Sequence, residues 1–200
     1  MRKRILGIII LLTSIISAPL NAQSIYVPDP LPSKAPVALS SAQKGVKTST
    51  DIILAAMPVA TLTGVLIMQD WEGLKQGALT GVTTLGCTYL LKWTVREQRP
   101  DHTSFDSFPS GHAAASFATA TFLQKRYGWK VGVPAYALSC YVGWGRCFSK
   151  RHNWWDVVAG AAIGSASAWI FTTPFAKKHN LTISPYSDGQ NLAIYSSFTF

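Results

Sequence analysis

The sequence predicts an all-α protein, a membrane-embedded bundle of five or six helices. Charged residues make up only 14% of the 200-residue chain, against roughly 25% in typical soluble domains. The charges also occur at intervals, and they separate five uncharged stretches of 15 to 20 residues, namely 52–69, 76–91, 107–124, 131–145 and 157–176. A bilayer span needs about 20 apolar residues, so the shorter stretches suffice if a flanking charge snorkels.

The first 22 residues have the order of a secretory signal. Arg2, Lys3 and Arg4 are followed by an apolar run over residues 5–16 and by small residues up to Ala22. A charged start, an apolar centre and small residues near a cleavage point are the three parts of a signal peptide. We expect cleavage after Ala22; the alternative is an uncleaved segment that forms the first membrane helix.

The proline pattern divides the remaining chain. Residues 23–49 contain four prolines, and this density predicts an irregular arm and not a helix. The five apolar stretches then define a main domain over residues 50–178. The tail, residues 179–200, alternates partly like a strand, and we assign it no function.

The formal net charge of +9 suits an anionic partner such as phosphate, nucleic acid or an anionic membrane. Because there is no basic run outside the N-terminus and no zinc-finger or helix-turn-helix signature, the sequence favours the membrane over nucleic acid. The three cysteines, Cys87, Cys140 and Cys147, have no CxxC spacing. They therefore predict neither a disulfide framework nor a zinc site.

Alternate segments between the apolar stretches are basic. Lys75, residues 125–130 and residues 177–178 carry basic side chains, and the positive-inside rule places such segments in the cytoplasm. Residues 96–109 and 146–156 then lie together on the external side. The modest mean hydropathy of +0.19 leaves a soluble helical bundle as the alternative.

The first of three motifs follows the second apolar stretch, where six residues separate Lys92 from Arg99-Pro100. If the helix continued to Arg99, both cations would lie on one face and Pro100 would end the helix. Cations at the mouth of an apolar helix are costly unless an anion or the interface compensates them. Arg offers a planar fork to phosphate oxygens and Lys a compact charge. The motif indicates either a phosphate site or snorkelling side chains.

The second motif, Pro109-Ser110-Gly111-His112, opens the third helix. Pro109 suits a first helical turn, and Ser110 can cap it. Gly111 lets a ligand approach the backbone closely, and free N–H groups at a helix start bind anions. His112 lies in the first turn, where it could protonate a leaving oxygen. The alternative is an ordinary cap with an exposed histidine.

The third motif is Arg146, His152 and Asp156. The four-residue spacing allows one helical turn to bring the Asp156 carboxylate to the His152 imidazole. A carboxylate on one ring nitrogen fixes the tautomer and leaves the other nitrogen free to attack. Arg146 is a further candidate for holding phosphate. The alternative is a surface ion pair.

Together the motifs specify ten positions in a fixed order, and on them the chain resembles the type 2 phosphatidic acid phosphatase family over residues 50–176. That family shares its fold and site with vanadium haloperoxidases and soluble bacterial class A acid phosphatases. Its pattern is Lys-x6-Arg-Pro, then Pro-Ser-Gly-His, then Ser-Arg-x5-His-x3-Asp. One departure is Gly145, which stands where the family usually has Ser. It removes a possible hydroxyl donor to phosphate.

The resemblance implies a role for each matching residue. His152 would be the nucleophile that forms a phosphohistidine, and Asp156 would orient it. His112 would protonate the leaving group and later activate water. The phosphate oxygens would be held by Lys92, Arg99, Arg146 and the backbone of Ser110 and Gly111. Because the site has no carboxylate cluster for Mg²⁺ and no His/Cys set for zinc, we expect no metal and no cofactor.

We therefore expect a phosphatase whose active site lies at the external helix ends, at the periplasmic face of a bacterial inner membrane. Its expected substrate is a membrane lipid, either a lipid A-type phosphate or undecaprenyl pyrophosphate, and the resemblance favours lipid A. Trp154 and Trp155 could pack on the lipid or anchor the site in the interface. The main alternative is a soluble periplasmic nonspecific acid phosphatase. A vanadate-dependent haloperoxidase is usually much longer, and a non-catalytic membrane protein would not need all these side chains.

Overall fold

A computed structural model describes residues 34–175, 181–187 and 192–198. The signal-like segment lies outside these ranges. The described part contains five helices, as predicted: α1 Ser41–Ile67, α2 Trp71–Val95, α3 Gly111–Tyr127, α4 Trp129–Phe148 and α5 Trp154–Phe171. In the tail, β1 Leu181–Ser187 and β2 Leu192–Phe198 pair as an antiparallel hairpin. The partly strand-like pattern of the tail therefore forms strands, which the all-α prediction did not include.

The predicted irregular arm is wrong at its C-terminal end, because α1 begins at Ser41 and not after residue 49. Ser40 and Gln43 form a capping box: the Ser40 hydroxyl accepts from the Gln43 N–H (3.2 Å), and the Gln43 side chain accepts from the Ser40 N–H (3.0 Å). These bonds satisfy two backbone donors that the start of a helix leaves open. The prolines that suggested an arm all precede this cap.

The connections between helices define two ends of the bundle. Three residues, 68–70, join α1 to α2, and Gly128 alone joins α3 to α4. We call this the turn end. At the opposite end, which we call the loop end, residues 96–110 join α2 to α3 and residues 149–153 join α4 to α5. The two segments that the charge pattern placed on one side therefore lie at the same end.

The bundle buries small residues and exposes large ones. Most of the buried apolar side chains are alanines, and they lie beside buried serines and threonines. All seven tryptophans are at least 43% exposed, together with many Ile, Leu and Val side chains. Small residues between helices with large apolar residues outside are typical of a protein that faces lipid. Among the described helices, α1 alone is long and apolar enough to span a bilayer by length and composition.

Two glycines of α5 bring the N-terminal ends of α3 and α5 together. A Cβ at Gly160 would collide with the carbonyl oxygen of Ser110, and one at Gly164 with that of Ala114. Because neither position has a side chain, α5 packs directly on the backbone of α3. This close approach places the start of α5, which carries Asp156, beside the start of α3, which carries His112.

At the turn end, a buried ion pair ties three helices together. Both oxygens of Asp70 accept from the Arg126 guanidinium, whose Nη1 also donates to the carbonyl oxygen of Thr173 at 2.9 Å. The Tyr127 hydroxyl and the Gly73 N–H donate to Asp70, each at 2.9 Å. Burial alone would raise the pKa of Asp70, but these donors lower it. Every polar atom of this pair therefore has a partner.

Candidate active site

The long loop at the loop end begins where α2 stops. Arg96 caps α2 with a left-handed backbone (φ 47°), so the helix ends at Val95. The prediction that Lys92 and Arg99 share a helical face is therefore wrong, because Arg99 lies in the loop. The Arg99 N–H donates instead to the carbonyl oxygen of Ser104 at 2.9 Å, which folds the loop back on itself.

Asp106 brings Lys92 and Arg99 together despite this break in the helix. Its carbonyl oxygen accepts from Lys92 Nζ, and its carboxylate accepts from Arg99 Nη2 at 2.8 Å. Burial alone would raise the pKa of Asp106, but the Ser104 hydroxyl and both cations lower it. The two predicted phosphate-binding cations therefore converge on one residue, Lys92 on its backbone carbonyl oxygen and Arg99 on its carboxylate.

The start of α3 supports part of the predicted anion site. Ser110 is the N-cap, and its hydroxyl accepts from the Ala113 N–H at 3.4 Å. Its own N–H donates to the carbonyl oxygen of Asp156 at 2.9 Å, so this predicted phosphate donor is already engaged. Gly111 and His112 follow in the first turn, where backbone N–H groups have no intrahelical acceptor. The backbone donors for an anion are therefore better assigned to these two residues.

Asp51 on α1 joins His112 to Arg146. One carboxylate oxygen lies 2.8 Å from His112 Nε2 and accepts from Arg146 Nη1 at 2.7 Å. The Arg146 side chain is 3% exposed, so its charge is held inside the bundle. His112 and Arg146 come from α3 and α4, and Asp51 brings them to one point.

His152 and Asp156 meet, although His152 precedes α5 instead of lying on it. Nδ1 of His152 is 3.5 Å from Oδ2 of Asp156, a long ion-pair distance. The same oxygen accepts from the Asn153 N–H at 2.8 Å and from the Ser107 hydroxyl. Burial lowers the pKa of His152, and the nearby charges of Lys92, Arg99 and Arg146 lower it further, while Asp156 opposes them. These effects favour a neutral imidazole.

A second ion pair braces the two loops. Arg151 Nη1 donates to the buried carboxylate of Asp101 at 2.8 Å, and the Asp101 carbonyl oxygen accepts from the Val37 N–H at 2.9 Å. Burial would raise the pKa of Asp101, but the hydrogen bonds from Thr103 and the charge of Arg151 lower it. Because Arg151 is adjacent to His152, this brace fixes the segment that carries the candidate nucleophile.

Several buried polar atoms around these side chains have no hydrogen-bond partner. They include Arg99 Nε, Arg146 Nε, Arg151 Nε, His152 Nδ1 and Asp156 Oδ1. Buried polar groups without partners are costly, and the arginine Nε groups among them can donate to an anion. Three cations, two imidazoles and the start of a helix converge here, which suits an anion that carries dispersed charge.

Gly145 departs from the family pattern for a packing reason. A Cβ at this position would lie 2.5 Å from Thr50 Cγ2 and 3.0 Å from Val46 Cγ1. The serine of the pattern would therefore collide with α1. The glycine allows α1 to approach the end of α4, next to Arg146.

Sequence reasoning missed four residues that support the site: Asp51, Asp101, Asp106 and Ser107. Asp101 and Asp106 stand in the motif-bearing loop, but nothing in their spacing distinguishes them from ordinary loop carboxylates. Asp51 is 95 positions from Arg146, and no local pattern connects them. Within the described ranges, no group of three or more His, Cys, Asp or Glu side chains could hold a metal ion.

Known proteins match both the sequence and the fold. Residues 75–179 match the PAP2 superfamily. The lipid A 4'-phosphatase of Helicobacter pylori is 31% identical over 137 residues, which are 63% of this chain and 69% of that protein. The lipid A 1-phosphatase of Porphyromonas gingivalis is 38% identical over 102 residues, which are 46% of this chain but only 23% of that protein.

The fold is similar to the crystal structure of the first transmembrane PAP2 type phosphatidylglycerolphosphate phosphatase from Bacillus subtilis. The TM-score is 0.54 at 23% identity, and the match covers 68% of this chain and 77% of that one. At this identity the likeness concerns the fold, an all-helical membrane bundle.

Proposed function

The chain belongs to the PAP2 superfamily, and on that premise we propose that it removes phosphate from a membrane lipid through a phosphohistidine intermediate. It is a phosphatase, a hydrolase of phosphate esters, located in a membrane. The observation that carries the proposed mechanism is the convergence of His152, His112 and three cations, with unmet buried donors, at the loop end.

The proposed reaction has two displacements. Nε2 of His152 attacks phosphorus, and the bond from phosphorus to the lipid oxygen breaks as His112 donates a proton to that oxygen. Water then attacks the phosphohistidine, His112 takes up a proton from the water, and inorganic phosphate leaves. Lys92, Arg99 and Arg146 stabilise the charge on the phosphoryl oxygens in both steps.

The intermediate can be trapped directly. We expect brief incubation with a ³²P-labelled lipid phosphate, followed by alkaline quenching, to leave label on the protein that is stable to base and released by acid. Such behaviour distinguishes phosphohistidine from phosphoserine. A His112→Ala variant should accumulate more label if the second step depends on His112. Absence of label from every active preparation would contradict the covalent route.

For the substrate, we propose a lipid A-type phosphate, with undecaprenyl pyrophosphate as the second candidate. The two lipid A phosphatases among the relatives support the first choice. The site also lies at helix ends, where a lipid headgroup is concentrated, and Trp154 and Trp155 are 58% and 79% exposed beside the nucleophile. Exposed tryptophans at helix ends are typical of the membrane interface.

Mass spectrometry of envelope lipids from cells with and without the protein tests this choice. Loss of one lipid A phosphate in the presence of the protein is the expected result. Unchanged lipid A, together with hydrolysis of undecaprenyl pyrophosphate by the purified protein, would contradict the lipid A assignment. Turnover of soluble phosphate esters alone would contradict a lipid substrate, and the soluble acid phosphatase interpretation would then replace it.

For the orientation, we propose that the loop end faces the periplasm of a bacterial inner membrane. Support comes from the sequence-based assignment of Lys75, Lys125 and Lys130, which lie at the turn end, to the cytoplasm. The loop end is also basic, but several of its cations are paired with aspartates of the proposed site and its loops. In a variant without the native cysteines, Lys150→Cys should react with an impermeant thiol reagent in whole cells. Lys75→Cys, at the turn end, should react only after lysis. The reverse pattern would invert the orientation.

A further inference from the structure

Asp51 holds three cationic or imidazole groups at the edge of the site. Besides His112 Nε2 at 2.8 Å and Arg146 Nη1 at 2.7 Å, it accepts from Lys47 Nζ at 2.7 Å through its other oxygen. Its side chain is 38% exposed. Asp51 lies on α1, outside the 75–179 range that matches the superfamily, so the three motifs do not contain it.

The packing of α1 places this carboxylate. Thr50 is fully buried, and it fills the space that a side chain at Gly145 would occupy. Because Thr50 sits against the last turn of α4, the next residue, Asp51, reaches the guanidinium that follows Gly145. The contact of Asp51 with Arg146 therefore depends on Gly145, the glycine directly before the third motif.

The bond from Asp51 engages one defined nitrogen of the His112 ring. A carboxylate on Nε2 fixes the ring orientation and stabilises the protonated imidazole, and it leaves Nδ1 as the nitrogen that can face a leaving oxygen. His152 has the opposite arrangement, since Asp156 lies beside its Nδ1 and leaves Nε2 to attack. Each histidine of the proposed mechanism thus has its own carboxylate, on a different ring nitrogen.

We propose that Asp51 is a positioning residue that orients His112 for proton donation to the leaving lipid oxygen and aligns Arg146 with the phosphate. The inference rests on the proposed function, in which His112 is the acid. Asp51 acts through these two side chains and does not itself contact the substrate. Its removal should therefore affect most strongly those substrates whose leaving oxygen needs a proton.

The test compares two substrates on the same preparations of the full chain in detergent. An alkyl phosphate lipid has a poor leaving group that needs an acid, whereas p-nitrophenyl phosphate has a leaving group that departs as an anion. We expect Asp51→Asn to lower the ratio of kcat/KM for the lipid to kcat/KM for the aryl ester by about 10- to 100-fold. This is less than the roughly 10²- to 10⁴-fold that general acid catalysis contributes, because the acid itself, His112, remains in place. Loss of folded protein cancels in this ratio, as does an equal loss of phosphate binding.

Three further variants make the outcome decisive. Glu72→Gln, a matched change of an exposed carboxylate at the turn end, should leave the ratio unchanged, and Asp51→Glu should partly restore it. His112→Ala should lower the ratio at least as much as Asp51→Asn. If His112→Ala lowers the ratio and Asp51→Asn does not, the role of Asp51 is overturned and the proposed function stands. If neither variant changes the ratio, the assignment of His112 as the acid fails, and the role of Asp51 fails with it.

Discussion

The two ends of the bundle each hold a buried arginine paired with an aspartate, but among the described residues only the arginine at the loop end has an Nε without a hydrogen-bond partner. At the turn end, both Asp70 oxygens and the Arg126 Nε, Nη1 and Nη2 groups have partners. At the loop end, Arg146 is equally buried, yet its Nε has no partner, and neither has Nε of Arg99. The same residue types thus form a closed cluster at one end and an open one at the other.

The difference shows how to distinguish a structural ion pair from a binding site. Each orphan donor or acceptor in a buried ion pair costs free energy, so a pair with every group satisfied is the more stabilising one. The orphan arginine Nε groups of the loop end support the proposal that a phosphate binds there. Charge alone would not separate the two clusters, whereas the count of unsatisfied atoms does.

The largest effect should come from the loop end. His152→Ala removes the proposed nucleophile, so we expect kcat to fall by at least about 10³-fold. The protein should stay folded, because the Asp156 carboxylate keeps its hydrogen bonds from the Ser107 hydroxyl and the Asn153 N–H. His102→Ala, which removes an imidazole from the neighbouring loop, should retain turnover. Phosphate release and thermal unfolding in detergent measure the two properties. Near-normal release by His152→Ala would show that the nucleophile lies elsewhere.

At the turn end, Arg126→Met should have the opposite profile. It leaves the Asp70 carboxylate buried without its main partner, and breaking such a pair costs about 3–5 kcal/mol of folding free energy. Turnover per folded molecule should stay close to that of the parent chain. Adding Asp70→Asn should recover part of the loss, because an amide can still accept from the Gly73 N–H without carrying charge.

Equal losses of stability in the single and double variants would contradict the ion-pair interpretation. A large fall in turnover per folded molecule would show that the two ends are coupled. Denaturation in detergent, followed by activity normalised to folded protein, separates these outcomes.

Lys92→Ala should weaken substrate binding more than it slows turnover. Lys92 provides a charge to the phosphate, and its loss should raise KM by about 10- to 100-fold, equal to 1.4–2.7 kcal/mol. Lys75→Ala is the matched control, since Lys75 is 75% exposed at the turn end. A fall in kcat at unchanged KM would instead assign Lys92 to the transition state alone.

The pH dependence should report the charged surroundings of His152. Attack requires the neutral imidazole, and burial and neighbouring cations lower the pKa of His152. We measure kcat/KM for p-nitrophenyl phosphate against pH and correct it for ionisation of the substrate. The apparent pKa of the acid limb should lie below the ordinary histidine value of about 6.5. Arg99→Gln removes one of these cations and should move the limb upward. An acid limb at or above pH 6.5 in the parent chain would be inconsistent with this environment.

The smallest effect is expected from chelation. The site assembles cations and imidazoles without a carboxylate cluster for Mg²⁺ or a His/Cys set for zinc, so EDTA should leave activity within about twofold of the untreated value. Vanadate, which resembles a phosphoryl group in attack geometry, should inhibit. Restoration of a lost activity by one divalent metal would indicate a metal-dependent mechanism.

The motifs identified the elements of the loop end, but not how each one is placed. The five helices followed from the uncharged stretches, because each stretch is close to the length that a helix needs to span a bilayer. The predicted helical alignment of Lys92 with Arg99 failed because Arg96 ends α2 early, and a left-handed cap at Arg carries no reliable sequence signal. Asp106 brings the two cations together by a route that helical spacing does not describe.

Long-range packing explains the other differences. Ser110 fits the predicted cap, but its N–H is used by Asp156, a bond that exists only because α5 packs on the α3 backbone. The role of Asp51 could not be predicted either, because its contacts with His112 and Arg146 join helices that are far apart in the sequence. The start of α1 was predicted too late in the chain, because the proline density before Ser40 was extended to residue 49 and the capping box of Ser40 and Gln43 was not considered.

Gly145 has an evolutionary consequence. In this chain the glycine and the carboxylate of Asp51 depend on each other, because a side chain at position 145 would push α1 away from Arg146. The two positions should therefore be inherited as a pair. Among relatives, a glycine before the arginine that corresponds to Arg146 should occur together with an acidic residue on the helix that corresponds to α1. Relatives with a serine before this arginine should lack that acidic residue. A lineage that changed both positions one after the other would therefore pass through a less active intermediate.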